Sequence, residues 1–150
     1  MNHTFLLESG RWTLEGSWLE RNSDPIPVKG KTIIGWARND WFTMVTKLTF
    51  PGTQRAETTL TYKGRLDFDE RRFTFVLQHS DLGKVEGEGW FGLESIVQRY
   101  WAIDDRQMRS GFQTFYMQDA NCYQYTSGII VGSFLDSTME AVMTRHRNQE

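Results

Sequence analysis

Two groups of side chains in this sequence could do chemistry. The first is Ser95-Ile96-Val97-Gln98-Arg99-Tyr100-Trp101. In an extended strand alternate residues share a face, so Gln98 and Tyr100 go with Ile96, while Arg99 and Trp101 go with Val97. One of these sets must face the interior. An inward Arg99 would mark a ligand carboxylate or phosphate, because a buried guanidinium needs an anion. An outward Arg99 would stack on Trp101 or pair across strands. The second group is Phe112, Thr114 and Tyr116, followed on the next strand by Tyr123 and Tyr125. Phenol hydroxyls aimed into an apolar cavity orient small ligands. The same residues also suit an aromatic core with cross-strand pairs. Both alternatives stay open for each group.

Other constellations offer less. Glu86 and Glu88 share a strand face with Trp90, about 7 Å apart by strand rise, and paired internal carboxylates can act as acid and base. Lys84 lies on that face too, which favours a solvated outer surface. Gly87, Gly89 and Gly92 do not follow the phosphate-binding spacing, so they read as strand glycines that leave room for a ligand or a ring. His3, His79 and His146 are far apart, with no metal-ligating spacing among them. A lone His79 or His146 as an axial haem ligand is the weaker reading. Cys122, the single cysteine, reads as an ordinary thiol near a turn. No nucleophile-elbow signature surrounds any serine. The expectation is therefore no catalytic residue, no metal and no cofactor.

These residues need strands to position them, and alternation dominates the chain. The pattern predicts strands over 11–20, 28–38, 41–50, 55–66, 72–78, 84–93, 95–103, 108–118, 122–134 and 138–146. Turn signals separate them, including Asn22-Ser23-Asp24-Pro25, Asn39-Asp40, Pro51-Gly52 and Asp104-Asp105. One single turn of helix is expected over Thr4–Ser9. Trp12, Leu14, Gly16 and Trp18 fall on one side of the first strand. About ten sequential strands with short turns leave two edges, and closure into a barrel removes both. The expected fold is all-β, an antiparallel up-and-down barrel forming one domain over residues 1–150.

Bulk properties narrow the partners. The 150 residues carry a net charge of −2, with acids and bases interspersed, which argues against nucleic acid. No run approaches the length of a membrane span, and residues 1–8 lack the features of a signal peptide, so a cytoplasmic protein is expected. Aromatic residues make up 14 % of the chain, enough to line a cavity with rings.

Gly10-Arg11-Trp12 resembles the Gly-x-Trp signature that opens the first strand in the calycin superfamily of lipocalins, fatty-acid-binding proteins and avidins. The resemblance implies that Trp12 closes one barrel end, with a last-strand arginine, by position Arg145, lying across its indole. The Thr-Asp-Tyr motif of secreted lipocalins, the helical lid of fatty-acid-binding proteins and their Arg-x-Tyr carboxylate grip are all missing. The chain looks like a lipocalin-like protein of the intracellular, bacterial type. The function this implies is binding of a small hydrophobic molecule, which could carry an anionic group. The expected lining is Trp36, Phe42, Tyr62, Phe75, Gln98, Arg99, Tyr100, Phe112, Tyr116 and Tyr125. Two alternatives accompany it. One is an enzyme on the same fold, such as a chromophore lyase, isomerase or cyclase. The other is a homodimer formed through Trp90, Trp101 or Ile129-Ile130-Val131.

Overall fold

The computed structural model describes residues 2–146. Its ten strands are β1 (Gly10–Glu20), β2 (Ile26–Trp36), β3 (Trp41–Thr49), β4 (Thr58–Asp67), β5 (Arg72–His79), β6 (Gly83–Phe91), β7 (Ser95–Ala102), β8 (Arg109–Asp119), β9 (Cys122–Val131) and β10 (Phe134–His146). Each runs antiparallel to its sequence neighbours, and β1 pairs with β10 to close the barrel. Period-two patterning explains the outcome. On β5, Phe73, Phe75, Leu77 and His79 are buried, while Thr74, Val76 and Gln78 face out. A one-residue slip would exchange these faces, which is why the register is well specified.

Local chemistry sets the turns. Asn39 and Asp40 both adopt φ of 62° and wrap the β2–β3 hairpin, a left-handed conformation that Asn and Asp tolerate better than other residues with a Cβ. Two interior glycines are required by close approach. A Cβ at Gly89 would lie 2.1 Å from the Phe73 ring, and one at Gly87 would lie 2.2 Å from the Phe75 ring. Both β6 glycines thus seat aromatic rings of β5.

The N-terminal segment forms a single turn, with Glu8 N–H donating to the Thr4 carbonyl at 3.3 Å. No helix is present among the described residues, and in particular none long and apolar enough to cross a membrane. Several strand limits differ from the pattern. β4 starts at Thr58 and not at residue 55, because Arg55 belongs to the β3–β4 loop. β10 starts earlier, at Phe134, through an irregularity between Leu135 and Ser137.

Candidate functional site

The interior is mainly apolar, with a polar cluster joined by hydrogen bonds across it. Inward positions of β7, β8 and β9, and of β4 across the barrel, carry Gln98, Gln113, Tyr125 and Tyr62, all buried. Tyr62 O–H donates to Gln113 Oε1 at 3.0 Å, and Gln98 Nε2 donates to the same oxygen. Gln113 Nε2 donates to the Tyr125 oxygen at 2.8 Å. One amide thus ties its own strand, β8, to three others through side chains. Burial pushes the Tyr62 phenol well above its ordinary pKa, reinforced by the neighbouring Tyr125 and Tyr100 phenols. Tyr100 rises for the same main reason, and Tyr125 is pushed up to about 12. All three stay protonated at neutral pH.

Beside this cluster lies a cavity of about 20 Å³, the room one water needs. Tyr62, Gln113 and Tyr125 form its polar wall, and Met44, Met139 and Met143 contribute flexible apolar walls. Thr32 and Thr46 also border it, their hydroxyls bonded to each other at 2.8 Å. The larger concavities, of about 640 and 460 Å³, are outer grooves lined by residues 65–69 with 72–74 and by residues 19–24 with 135–138.

The N-terminal turn stoppers one end. Phe5 and Leu6 are each only 1 % exposed, and Phe5 reaches far enough to border the cavity. Its ring stacks on Phe115 at 4.7 Å and meets Trp12 edge-on at 5.4 Å. His3 locks the turn in place. Its Nε2 lies 2.8 Å from the Gly92 carbonyl and its Nδ1 lies 2.8 Å from the Tyr123 hydroxyl. A carbonyl can only accept, so Nε2 carries the hydrogen and Nδ1 accepts from Tyr123. The Tyr123 oxygen in turn accepts the Thr4 and Phe5 backbone N–H groups.

Charged groups ring the opposite end. Arg55, on the β3–β4 loop, lies 4.6 Å over Trp18 and 4.7 Å over Phe50, and pairs with Glu20 and Asp81. A mouth pocket of about 400 Å³ is lined by Arg21, Arg55 and Arg109 and by Glu20, Asp81 and Asp136. Three cations face three anions in this lining, and Asp105 adds a further anion against Arg109, so the mouth presents no surplus of cations to steer an anionic ligand. Just inside, the His79 Nδ1 accepts the Asp81 and Leu82 N–H groups at 3.1 and 3.3 Å. Those bonds need a bare Nδ1, and desolvation by burial lowers the pKa of this histidine to about 4.

Of the residues expected to line the cavity, Phe42, Tyr62, Phe75, Gln98, Tyr100 and Tyr125 face the interior. Trp36 is half-buried at the stoppered end, where its Nε1 donates to the Leu6 carbonyl at 2.9 Å. Three residues lie outside. Arg99 faces solvent, opposite Glu88, with its guanidinium 5.2 Å from the Trp101 ring. Tyr116 is half-exposed and donates to Glu94 at 2.8 Å. Phe112 packs over Gly128 on the outer face, because Gly111 faces inward beneath the Tyr100 ring. Glu86 and Glu88 face outward, on the side of the strand away from Gly87 and Gly89. Trp12 is buried and is the direct cross-strand partner of Arg145. The Arg145 guanidinium engages Glu8 at 2.8 Å, and among the described residues no cation–ring contact joins it to Trp12. Among the described residues, the indole Nε1 has no hydrogen-bond partner.

Sequence reasoning missed Gln113, the hub of the cluster, and also His3 and Arg55. Gln113 could have been found by parity: it shares a face with Gly111, and interior glycines mark where rings from the next strand are seated.

Likeness to solved structures extends over nearly the whole chain. The crystal structure of Rv2717c from M. tuberculosis matches with a TM-score of 0.73 at 13 % identity, covering 93 % of this chain and 92 % of that one. At that identity the likeness is one of fold, a closed antiparallel barrel. An S-type phycobiliprotein lyase, CPES from Guillardia theta, matches with a TM-score of 0.65, also at 13 % identity, covering 95 % and 90 %. No protein-family model matches the sequence, and no curated protein matches it significantly.

Proposed function

We propose that this barrel is a container for a small, mainly apolar molecule, which the Tyr62–Gln98–Gln113–Tyr125 cluster orients. The observation that carries this reading is a hydrogen-bonded polar group set beside a cavity in a mainly apolar interior. Such sparse polar groups in an apolar lining are how binding pockets fix orientation. A ligand larger than water takes its space from Met44, Met139 and Met143, whose unbranched thioethers repack readily.

Binding is favoured over catalysis by what the interior lacks. Among the described residues, the buried polar side chains are His3, Thr32, Thr58, His79, Gln98, Gln113 and Ser137, with no carboxylate and no guanidinium. The phenols are held protonated, so none serves as a base near neutrality. A lyase role, of the kind that the name of CPES states for that protein, would need such a group at the pocket. A second reading, self-association, draws on the outer face of β6 and β7, where Trp90 pairs with Val97 and each is about half exposed.

One experiment addresses both readings. Native mass spectrometry of protein purified gently from its own host reports retained mass and subunit number together. A chain carrying an organic adduct is the expected result. An empty chain whose methionine methyl resonances also stay fixed under xenon pressure would remove the container reading, and a monomer at micromolar concentration would remove the second.

A further inference from the structure

The charge state of the interior narrows the cargo. We infer that the site selects an uncharged ligand bearing a carbonyl-type acceptor and rejects carboxylates; this rests on the container reading above. The wall of the cavity contains no formal charge: its polar members are two phenols, one amide and two threonine hydroxyls. A carboxylate placed there would lose its hydration with no cation to meet it, a penalty that far exceeds the worth of a few neutral hydrogen bonds. The nearest guanidiniums do not help. Arg99 is outside the barrel, and Arg55 and Arg109 are at the mouth, held by Glu20, Asp81 and Asp105.

Hydrogen accounting then favours an acceptor. Gln113 Oε1 already receives two hydrogens, from Tyr62 and Gln98. Gln113 Nε2 gives one hydrogen to Tyr125, and its second amide hydrogen has no partner among these bonds. The Tyr125 oxygen is occupied as an acceptor by that amide, so its own hydrogen is available to the cavity or to the neighbouring Ser127. Two hydrogens at the polar wall, one on Gln113 Nε2 and one on Tyr125, are thus unspent in these bonds, and a ketone or aldehyde oxygen matches them. The Thr32–Thr46 bond spends one hydroxyl hydrogen and leaves the other hydroxyl's hydrogen unspent.

The test uses three probes of one shape: cyclohexanone, cyclohexane and cyclohexanecarboxylate, titrated at pH 7 and followed by methyl and amide NMR shifts. Both the native chain and Met44→Ala are used. The variant opens space next to Tyr62, its cross-strand partner, without removing a donor or acceptor of the cluster. Cyclohexanone is expected to bind at least tenfold more tightly than cyclohexanecarboxylate, and Gln113→Leu should erase its advantage over cyclohexane. A carboxylate that binds as tightly as the ketone would overturn the inference. So would ketone and cyclohexane affinities whose ratio is the same with and without Gln113. If none of the three binds even Met44→Ala, the container reading itself fails. If all three bind alike, that reading survives and the selectivity does not.

Discussion

Replacing Phe5 by alanine tests whether the N-terminal turn is an integral stopper or a loosely laid segment. Phe5 is almost wholly buried, stacked on Phe115 and edge-on to Trp12. Truncating a fully buried Phe to Ala costs about 3–5 kcal/mol when the neighbours cannot close in. Here they are held by the barrel, since Trp12, Phe115 and Tyr123 are fixed in strand register. A domain of this size loses roughly 2–4 °C of Tm per kcal/mol, so Phe5→Ala should melt about 6–20 °C below the parent. Urea unfolding followed by far-ultraviolet circular dichroism measures the free energy, and tryptophan emission reports whether Trp12 becomes wet. Phe5→Leu serves as the near-conservative control, expected to lose about 1 kcal/mol. A loss under about 1 kcal/mol for Phe5→Ala, with unchanged emission, would refute the idea that this ring completes the core.

Two further outcomes follow from interior geometry. His79 titrates near 4 in the folded chain against about 6.5 when unfolded, so the unfolded state binds the extra proton between those values. Its contribution is complete above pH 6.5 and is lost as pH falls toward 4, up to about 3 kcal/mol. Asparagine can keep the acceptor for the Asp81 and Leu82 N–H groups, so His79→Asn should flatten this part of the stability profile between pH 7 and 4.5. An unaltered slope in urea titrations would contradict the assignment. At Gly89, an added Cβ collides with the Phe73 ring, and Gly89→Ala should cost about 1–3 kcal/mol. Shrinking Phe73 to Leu in the same chain should recover part of that loss, and strictly additive losses in the double-mutant cycle would show that the ring is not seated there.

The barrel was legible in the sequence because strict alternation leaves little choice of face. On β5 Phe73, Phe75 and Leu77 have one parity, and the structure buries that parity. On β8 the rule misleads. Phe112 and Tyr116 look like the core-facing set, yet Gly111, Gln113 and Phe115 face in. The Tyr100 ring already fills the space above Gly111, so a bulky neighbour there would clash. Cross-strand information of this kind is absent from one strand read alone. The same holds for Gln98 against Arg99, where alternation offers two sets and only pairing with Gly89 and Gln113 selects one. Contacts between distant segments were the least visible. Nothing near His3 signals that it reaches both Gly92 and Tyr123. Arg55 reads as the start of a strand because its role depends on Trp18 and Phe50 lying beneath it.

The β1–β10 seam has a consequence for how the molecule assembles. Trp12 and Arg145 lie side by side although almost the whole polypeptide separates them. While a ribosome is still extending the chain, β1 can pair with β2 but has nothing on its other flank. The growing sheet therefore carries two unsatisfied margins until the final strand emerges. Joining such remote partners is slow, because the entropy of the intervening loop must be lost first. The half-made sheet is then the species most exposed to sticking to its neighbours, and shielding of nascent chains should matter more here than any later repair of the finished cylinder.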